Sequence, residues 1–493
     1  MAAPRLSWTR WPAFIIVALV GLVVRLPQLG ARPMHTDEAI NGYIVGRLLA
    51  GEPFNYDPQD RHGPALAALA LPLARMQGAR SFSDLTEPEL RVTSVIAGTI
   101  TILLFGAAAE MFGGTPCLLA ALLFSVAPLP VYYDRYFIHE SLFCATTFGL
   151  ILSGWRAFKK RSIGYAAVAG ACAALMVACK ETAIIHLFAL TVAALVFKVR
   201  DLPGNRFIQS LRLRPLLAAI AAFLAVIVLF FSWFGRNWKP LFALLHVAPN
   251  VLARAAGQGH AQPFWYFGRL LIGGWSGGLL VCLACLGLFI IFKRRDASPY
   301  QFLAYYGILL AAIYSLIPYK TPWLALNLCL PLALLAALAV ESLWGRTARQ
   351  LGRGLAIPVF YVLAALSGVL IVHDTRQRVF LHPADESNPY AYAHTSDDIL
   401  GLPAEIADMA RRDGIRTPRI AVIASDPWPL PWYLRHFQQV GFWQPGQQVA
   451  GADFYVTSTE AADQYADRLR GLRPDFFGNR PGVLILLWLP APK

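Results

Sequence analysis

The sequence predicts a polytopic α-helical membrane protein of about eleven transmembrane helices, with a small C-terminal α/β domain held outside the membrane. Three observations predict it. Hydrophobic residues make up 57% of the chain and charged residues only 15%, and the apolar residues come in long blocks. Basic residues gather in alternate loops between those blocks. Beyond about residue 375 the pattern changes: twelve Lys and Arg stand against thirteen Asp and Glu, and the apolar runs shrink to strand length. The formal net charge of +14 is explained by the basic loops, so no nucleic-acid partner is implied. Seven cysteines lie mostly inside the apolar blocks and imply no disulfide framework. Cys282-x-x-Cys285, set among Leu, Val and Gly, reads as small packing residues.

The first block, Trp11–Leu29, is long enough to cross the hydrocarbon, and its only charge, Arg25, lies near the far end. It is too long for a signal-peptide core and lacks a small-x-small cleavage site, so it is expected to stay as an anchor. Further runs fall near 90–112, 115–133, 138–157, 163–179, 182–198, 215–234, 265–292, 301–318, 323–344 and 355–373. With the N-terminus inside, the inner loops 156–161, 198–214, 293–295 and 346–353 carry four, five, three and three basic residues. The outer loops 133–140, 179–182 and 318–322 are short and nearly balanced. This alternation places the chain in a cell membrane with a cytoplasmic N-terminus. An odd number of spans then puts the C-terminal domain on the extracytoplasmic side.

Two domains are expected: a membrane domain over 1–374, whose outer loop 30–88 holds two juxtamembrane helices, and an α/β domain over 375–493. The helices in the loop are Ala39–Leu49, which ends before Gly51, and Pro64–Met76, apolar but too short to span. In the C-terminal domain Asp397–Arg412 reads as an amphipathic helix and Ala461–Leu469 as a second. Arg419–Ala424, Asp453–Thr457 and Val483–Leu489 read as strands of a partly parallel sheet.

The chemistry-bearing residues cluster in the outer loops. His35-Thr36-Asp37-Glu38-Ala39 places adjacent carboxylates just past the first span, where charge is costly unless it meets water, a cation or a substrate. The plainer reading is an acidic helix start near Ala39 with Thr36 or Asp37 as its cap. Tyr56-Asp57-Pro58 and Arg61-His62-Gly63-Pro64 lie between the two juxtamembrane helices. Asp134-Arg135 and His139-Glu140 follow the third span, Lys180-Glu181 the fifth, and Tyr319-Lys320-Thr321-Pro322-Trp323 the ninth. Local pairing, Asp134 with Arg135 and Lys180 with Glu181, is the plain account of such loops. Carboxylates beside cations on one membrane face also suit a general base next to an anionic head group. A helix over Trp238–Arg254 is expected after the seventh span, and the Gly257–Tyr266 stretch beyond it, which includes His260, is suited to closing over a lipid-linked substrate. His139 and Glu140 with Asp37 and Glu38 offer hard ligands for Mg²⁺ or Mn²⁺, at a spacing that selects neither.

Together these residues resemble the C-type (GT-C) glycosyltransferase superfamily, which includes protein O-mannosyltransferases and aminoarabinose transferases. The nearest resemblance is to the flippase-activity-associated proteins of archaeal-type N-glycosylation. It is carried by His35–Ala39, Tyr56-Asp57-Pro58 with His62-Gly63-Pro64, Tyr319–Trp323, and Trp428-Pro429-Leu430-Pro431-Trp432-Tyr433-Leu434-Arg435. The resemblance implies a polyprenyl-phosphate-linked sugar donor, membrane lipid as its setting, and a glycan, protein or lipid acceptor. It also implies an inverting transfer on the outer face. Asp37 then matches the base, with Glu38 and Glu140 as further catalytic candidates. Tyr56, Asp57, Arg61, His62, Arg135, Lys180, Arg254, His260 and Lys320 are the substrate-binding candidates. Relatives usually carry Asp where this chain has Glu140, and often Lys-Pro-Pro where it has His62-Gly63-Pro64. Two non-catalytic readings stand beside this one: a flippase-associated component, and a scaffold whose outer domain recruits other enzymes.

Overall fold

The structure is a computed structural model and describes residues 11–58, 62–201, 213–247, 260–293, 298–449 and 451–490. The chain forms two compact units, one of residues 1–27, 53–70 and 91–382, the other of residues 28–52, 71–90 and 383–493. The second unit therefore draws on both ends of the 30–88 loop as well as the C-terminal region.

The first unit is helical, and every apolar run read from the sequence forms helix. The helices are α1 (Trp11–Arg25), α3 (Ala65–Met76, its first six residues in this unit), α4 (Glu87–Phe112, from Arg91 onward in this unit), α5 (Gly114–Val126), α6 (Pro128–Tyr133), α7 (Glu140–Lys160), α8 (Ile163–Cys179), α9 (Ala183–Asp201) and α10 (Leu213–Phe231). They continue through α11 (Tyr266–Ile272), α12 (Trp275–Lys293), α13 (Pro299–Leu316), α14 (Ala325–Gln350) and α15 (Gly352–Thr375). Several, Glu87–Phe112 and Leu213–Phe231 among them, are long and apolar enough to cross a membrane, and the protein is a multi-pass membrane protein. Within the expected Trp238–Arg254 helix, Lys239–Ala243 is helical and Leu244–His246 is a 3₁₀ turn. Residues 248–259, including Arg254, lie outside the described residues.

Two runs expected as single spans are broken, each for a local reason. The run 115–133 stops at Ala127, whose ψ of 142° is extended, because Pro128 lacks an N–H and crowds the residue before it. The run 265–292 turns at Gly273-Gly274, Gly274 having φ +83°. Beyond that turn Asp374 Oδ2 accepts from the Ser276 N–H at 2.9 Å and its hydroxyl at 2.5 Å, capping the new helix.

Small residues let the helices approach. A Cβ on Gly170 of α8 would lie 2.0 Å from the Ala219 carbonyl of α10, so only glycine allows that contact. Arg25, the single charge of the first span, is buried and pairs with Asp134 at 2.8 Å. It also donates to the carbonyls of Gly21, Phe124 and Ser125. The expected Asp134–Arg135 pairing is thus replaced, and Arg135 instead donates to the Arg25 and Pro27 carbonyls at 2.7 and 2.5 Å.

The second unit holds α2 (Thr36–Leu49) and a five-stranded mixed sheet: β1 (Arg419–Ile423), β2 (Gln439–Trp443), β3 (Phe454–Ser458), β4 (Leu472–Arg480) and β5 (Val483–Pro490). Its order is β2-β1-β3-β5-β4. β1 runs parallel to β2 and β3, whereas β5 is antiparallel to β3 and β4. The sequence reading lacked β2 and β4. β2 is a half-exposed edge strand, and Pro474 and Gly478 interrupt the pattern of β4. The expected Asp397–Arg412 helix opens as a 3₁₀ turn, Asp397–Gly401, before α16 (Leu402–Arg412). The expected 461–469 helix divides at Tyr465.

The Trp428–Arg435 motif knits this unit. Trp432, on the short α17 (Leu430–Tyr433), is fully buried, and its indole N–H donates to Glu87 Oε1 at 2.8 Å. Its ring lies where a Cβ on Gly42 of α2 would come within 2.8 Å. Arg435 donates to the Leu85 carbonyl at 2.9 Å, and the Tyr433 hydroxyl accepts the Met34 N–H at 2.7 Å.

Candidate functional site

In the second unit the candidate catalytic residues Asp37 and Glu38 lie at the start of α2. The helix begins at Thr36, three residues earlier than expected, and its cap is His35 rather than Thr36 or Asp37. His35 Nδ1 accepts the Asp37 N–H at 3.1 Å, while Nε2 lies 3.1 Å from the Tyr392 carbonyl. A carbonyl only accepts, so Nε2 carries the proton and the ring is neutral. Glu38 Oε2 accepts the His35 N–H at 3.1 Å, closing a reciprocal box. Glu38 is fully buried and lies 3.7 Å from the Arg32 guanidinium. Its carboxylate is therefore engaged in holding the helix start. Asp37 differs. It is half-buried, and its carboxylate makes no hydrogen bond or ion pair among the described residues.

Burial lowers the His35 pKa from its ordinary 6.5, outweighing the Asp37 and Glu38 charges that would raise it. The sign follows from linkage. Above about 6.5 the ring is neutral folded or unfolded; as pH falls below that, only the unfolded chain gains the proton. Stability should fall from pH 6.5 down to the lowered folded value. His35→Asn, which caps without titrating, should flatten that part of a melting-temperature profile. Equal pH dependence in parent and variant would count against the cap.

In the first unit His62-Gly63-Pro64 docks on the end of α8. The Gly63 N–H donates to the Cys179 carbonyl at 3.2 Å, and a Cβ at Gly63 would meet the Ala178 carbonyl oxygen at 2.2 Å. Gly63→Ala should thus cost about 1–3 kcal/mol through a forced backbone shift. A melting temperature equal to the parent's would contradict that contact. The docked segment brings His62 Nδ1 to 2.9 Å from Glu181 Oε2, and the Tyr56 hydroxyl donates to Glu181 Oε1 at 3.1 Å. Burial alone would raise the Glu181 carboxyl, but His62 and Lys180 prevail and hold it at about 2. Lys180 donates to Glu140 Oε1 at 2.5 Å, and its ammonium lies 5.9 Å from the Trp323 ring centroid. The expected Lys180–Glu181 pairing gives way to Lys180–Glu140. Burial disfavours the Lys180 charge, yet Glu140 more than restores it and the pKa is raised. His62 and His139 meet edge to face, with centroids 5.1 Å apart.

The structure thus brings Tyr56, His62, Glu140 and Lys180 together, and adds Glu181, His139 and Trp323. Glu181 is recognisable in the sequence only as the neighbour of Lys180, and His139, read there as a metal-ligand candidate, instead packs against His62. Asp57 is exposed. Lys320 is buried and donates to the Gln262 and Ile317 carbonyls at 3.0 and 2.6 Å. Its N–H donates to the His260 carbonyl at 3.1 Å, so His260 and Lys320 share one loop contact. Arg135 is buried with its guanidinium 4.7 Å from the Phe380 ring centroid. Arg61 and Arg254 lie outside the described residues. Among the described residues no three His, Cys, Asp or Glu side chains gather as metal ligands.

A family model described as dolichyl-phosphate-mannose-protein mannosyltransferase matches residues 78–233. ArnT from Cupriavidus metallidurans, solved bound to undecaprenyl phosphate, aligns with a TM-score of 0.65 at 16% identity, covering 99% of this chain and 100% of that one. The archaeal oligosaccharyltransferase AglB from Archaeoglobus fulgidus, solved with an inhibitory peptide and a dolichol-phosphate, aligns with a TM-score of 0.60 at 13% identity. That alignment covers 97% of this chain and 74% of AglB. No curated protein matches the sequence. The chain has the fold of the GT-C glycosyltransferase superfamily.

Proposed function

We propose that this protein transfers a sugar from a polyprenyl-phosphate-linked donor to an acceptor on the outer face of the membrane. Inversion at the sugar carbon and Asp37 as general base complete the reading. The observation that carries it is the state of Asp37: His35 and Glu38 complete the helix cap, which leaves the Asp37 carboxylate without a structural partner among the described residues. An acceptor hydroxyl needs such a base, whereas a glycosyl phosphate already has a good leaving group. The solved neighbours bound to undecaprenyl phosphate and a dolichol-phosphate support the donor class.

Lys320 and Arg135 already donate to backbone carbonyls, and Lys180 is paired with Glu140. The donor phosphate is therefore assigned first to Arg61, the residue before His62 in the sequence. Arg61→Ala should weaken donor binding by roughly ten-fold or more, since charge-assisted hydrogen bonds are among the stronger ones. Donor affinity equal to the parent's would move the phosphate elsewhere. The function itself is tested by incubating purified protein with a panel of polyprenyl-phosphate sugars and an acceptor-containing membrane extract. Released polyprenyl phosphate with labelled acceptor is expected; no release from any donor rejects the transferase.

A further inference from the structure

The β4–β5 hairpin slips register next to its turn. Gly478 pairs with Leu484 and Arg480 with Val483, which leaves Asn479 as an extra residue between them. Such a bulge bends its strand and re-aims the side chains beside it. Buried Asn479 is tied at two points: its carbonyl accepts the Ser396 N–H at 2.9 Å, and its Nδ2 donates to the Trp428 carbonyl at 3.3 Å. Asp398 Oδ2 accepts the Gly478 N–H at 2.7 Å. The side chain delivered by this arrangement is Arg480. It donates to Thr36 Oγ1 at 3.4 Å and forms an ion pair with Asp426, on the loop after β1. Thr36 opens α2 and precedes Asp37, so the guanidinium lies within about 13 Å of the Asp37 carboxylate, given 3.8 Å between neighbouring Cα atoms.

We propose that Arg480 is a positioning residue for Asp37, and that the Arg480–Asp426 pair sets the electrostatic balance at the start of α2. The inference rests on Asp37 being the base. Other charged or titratable groups at this helix start are Arg32, His35, Glu38 and His394, whose ring centroid is 5.7 Å from that of His35. Arg32, His35 and Glu38 belong to the cap; Arg480 and Asp426 stand outside it. While paired, their charges nearly cancel at Asp37. Removing either uncovers the other, with opposite effects. Arg480→Gln leaves an anion that makes Asp37 harder to ionise, and Asp426→Asn leaves a cation that makes it easier. A unit charge at this distance in a solvated site shifts a carboxyl by about half a pKa unit.

The experiment is the pH profile of kcat/KM for release of polyprenyl phosphate from the donor selected by the panel, using the full chain. The acid limb should move up by about half a unit in Arg480→Gln, down by a similar amount in Asp426→Asn, and return to the parent position in the double variant. A role confined to folding would leave the limb unmoved. An unmoved limb in both variants, or displacement of both in one direction, overturns the inference while Asp37→Asn remains inactive. Should Arg480→Gln fail to fold, Asp426→Asn decides alone, because its side chain is 48% exposed and tolerates the change. An active Asp37→Asn protein, or no release from any donor, removes the base reading and this inference together.

Discussion

Asp37→Asn is expected to lower transfer at least about a hundred-fold while the protein melts close to the parent temperature. The two effects separate because the helix cap is made by other residues. His35 and Glu38 exchange the reciprocal hydrogen bonds, and Asp37 contributes only its N–H, which Asn retains. What Asn loses is the favourable interaction of a carboxylate with the first turn of α2, about 0.3–1 kcal/mol. Loss of the base costs more: a hundred-fold in rate corresponds to about 2.7 kcal/mol in the barrier. Donor binding should persist. Turnover at the parent rate would eliminate Asp37 as the base. By contrast Glu38→Ala should act on stability, since it opens the box and leaves Arg32 without that carboxylate.

Lys180→Met should have the largest effect on stability. Both Lys180 and Glu140 are buried, and removing the ammonium leaves a carboxylate in a poorly solvated setting without its cation. Breaking such a pair from one side costs about 3–5 kcal/mol, whereas replacing both partners by neutral groups is often close to neutral. The double variant Glu140→Gln/Lys180→Met should therefore recover most of the melting temperature. It also divides structure from chemistry. A double variant that folds but releases no polyprenyl phosphate assigns the pair to the reaction; one that folds and turns over assigns it to architecture. If the single variant melts like the parent, the pair carries no such weight.

The sequence alone determined the helical layout, because hydropathy is a property of consecutive residues and each apolar run can satisfy its own backbone within a helix. The C-terminal α/β region was legible too, through β1, β3 and β5, but the run 115–133 reads as one span, because hydropathy does not register the N–H that Pro128 lacks and the break it makes at Ala127. Weakly patterned β2 and β4 formed because neighbouring strands supplied their hydrogen bonds. Local spacing identified His62, Lys180 and Glu140 as candidates, but could not choose their partners. Arg25 and Asp134 lie 109 residues apart in the chain, and Arg480 and Thr36 lie 444 apart. Which carboxylate became a cap and which has no hydrogen bond or ion pair among the described residues was likewise decided in three dimensions: Glu38 accepts the His35 N–H and lies near Arg32, whereas the side chain of Asp37, the residue before it, takes no part in the cap. Hydropathy acts along the chain, whereas a hydrogen bond or ion pair needs two groups within about 3 Å, and only the tertiary fold brings them there.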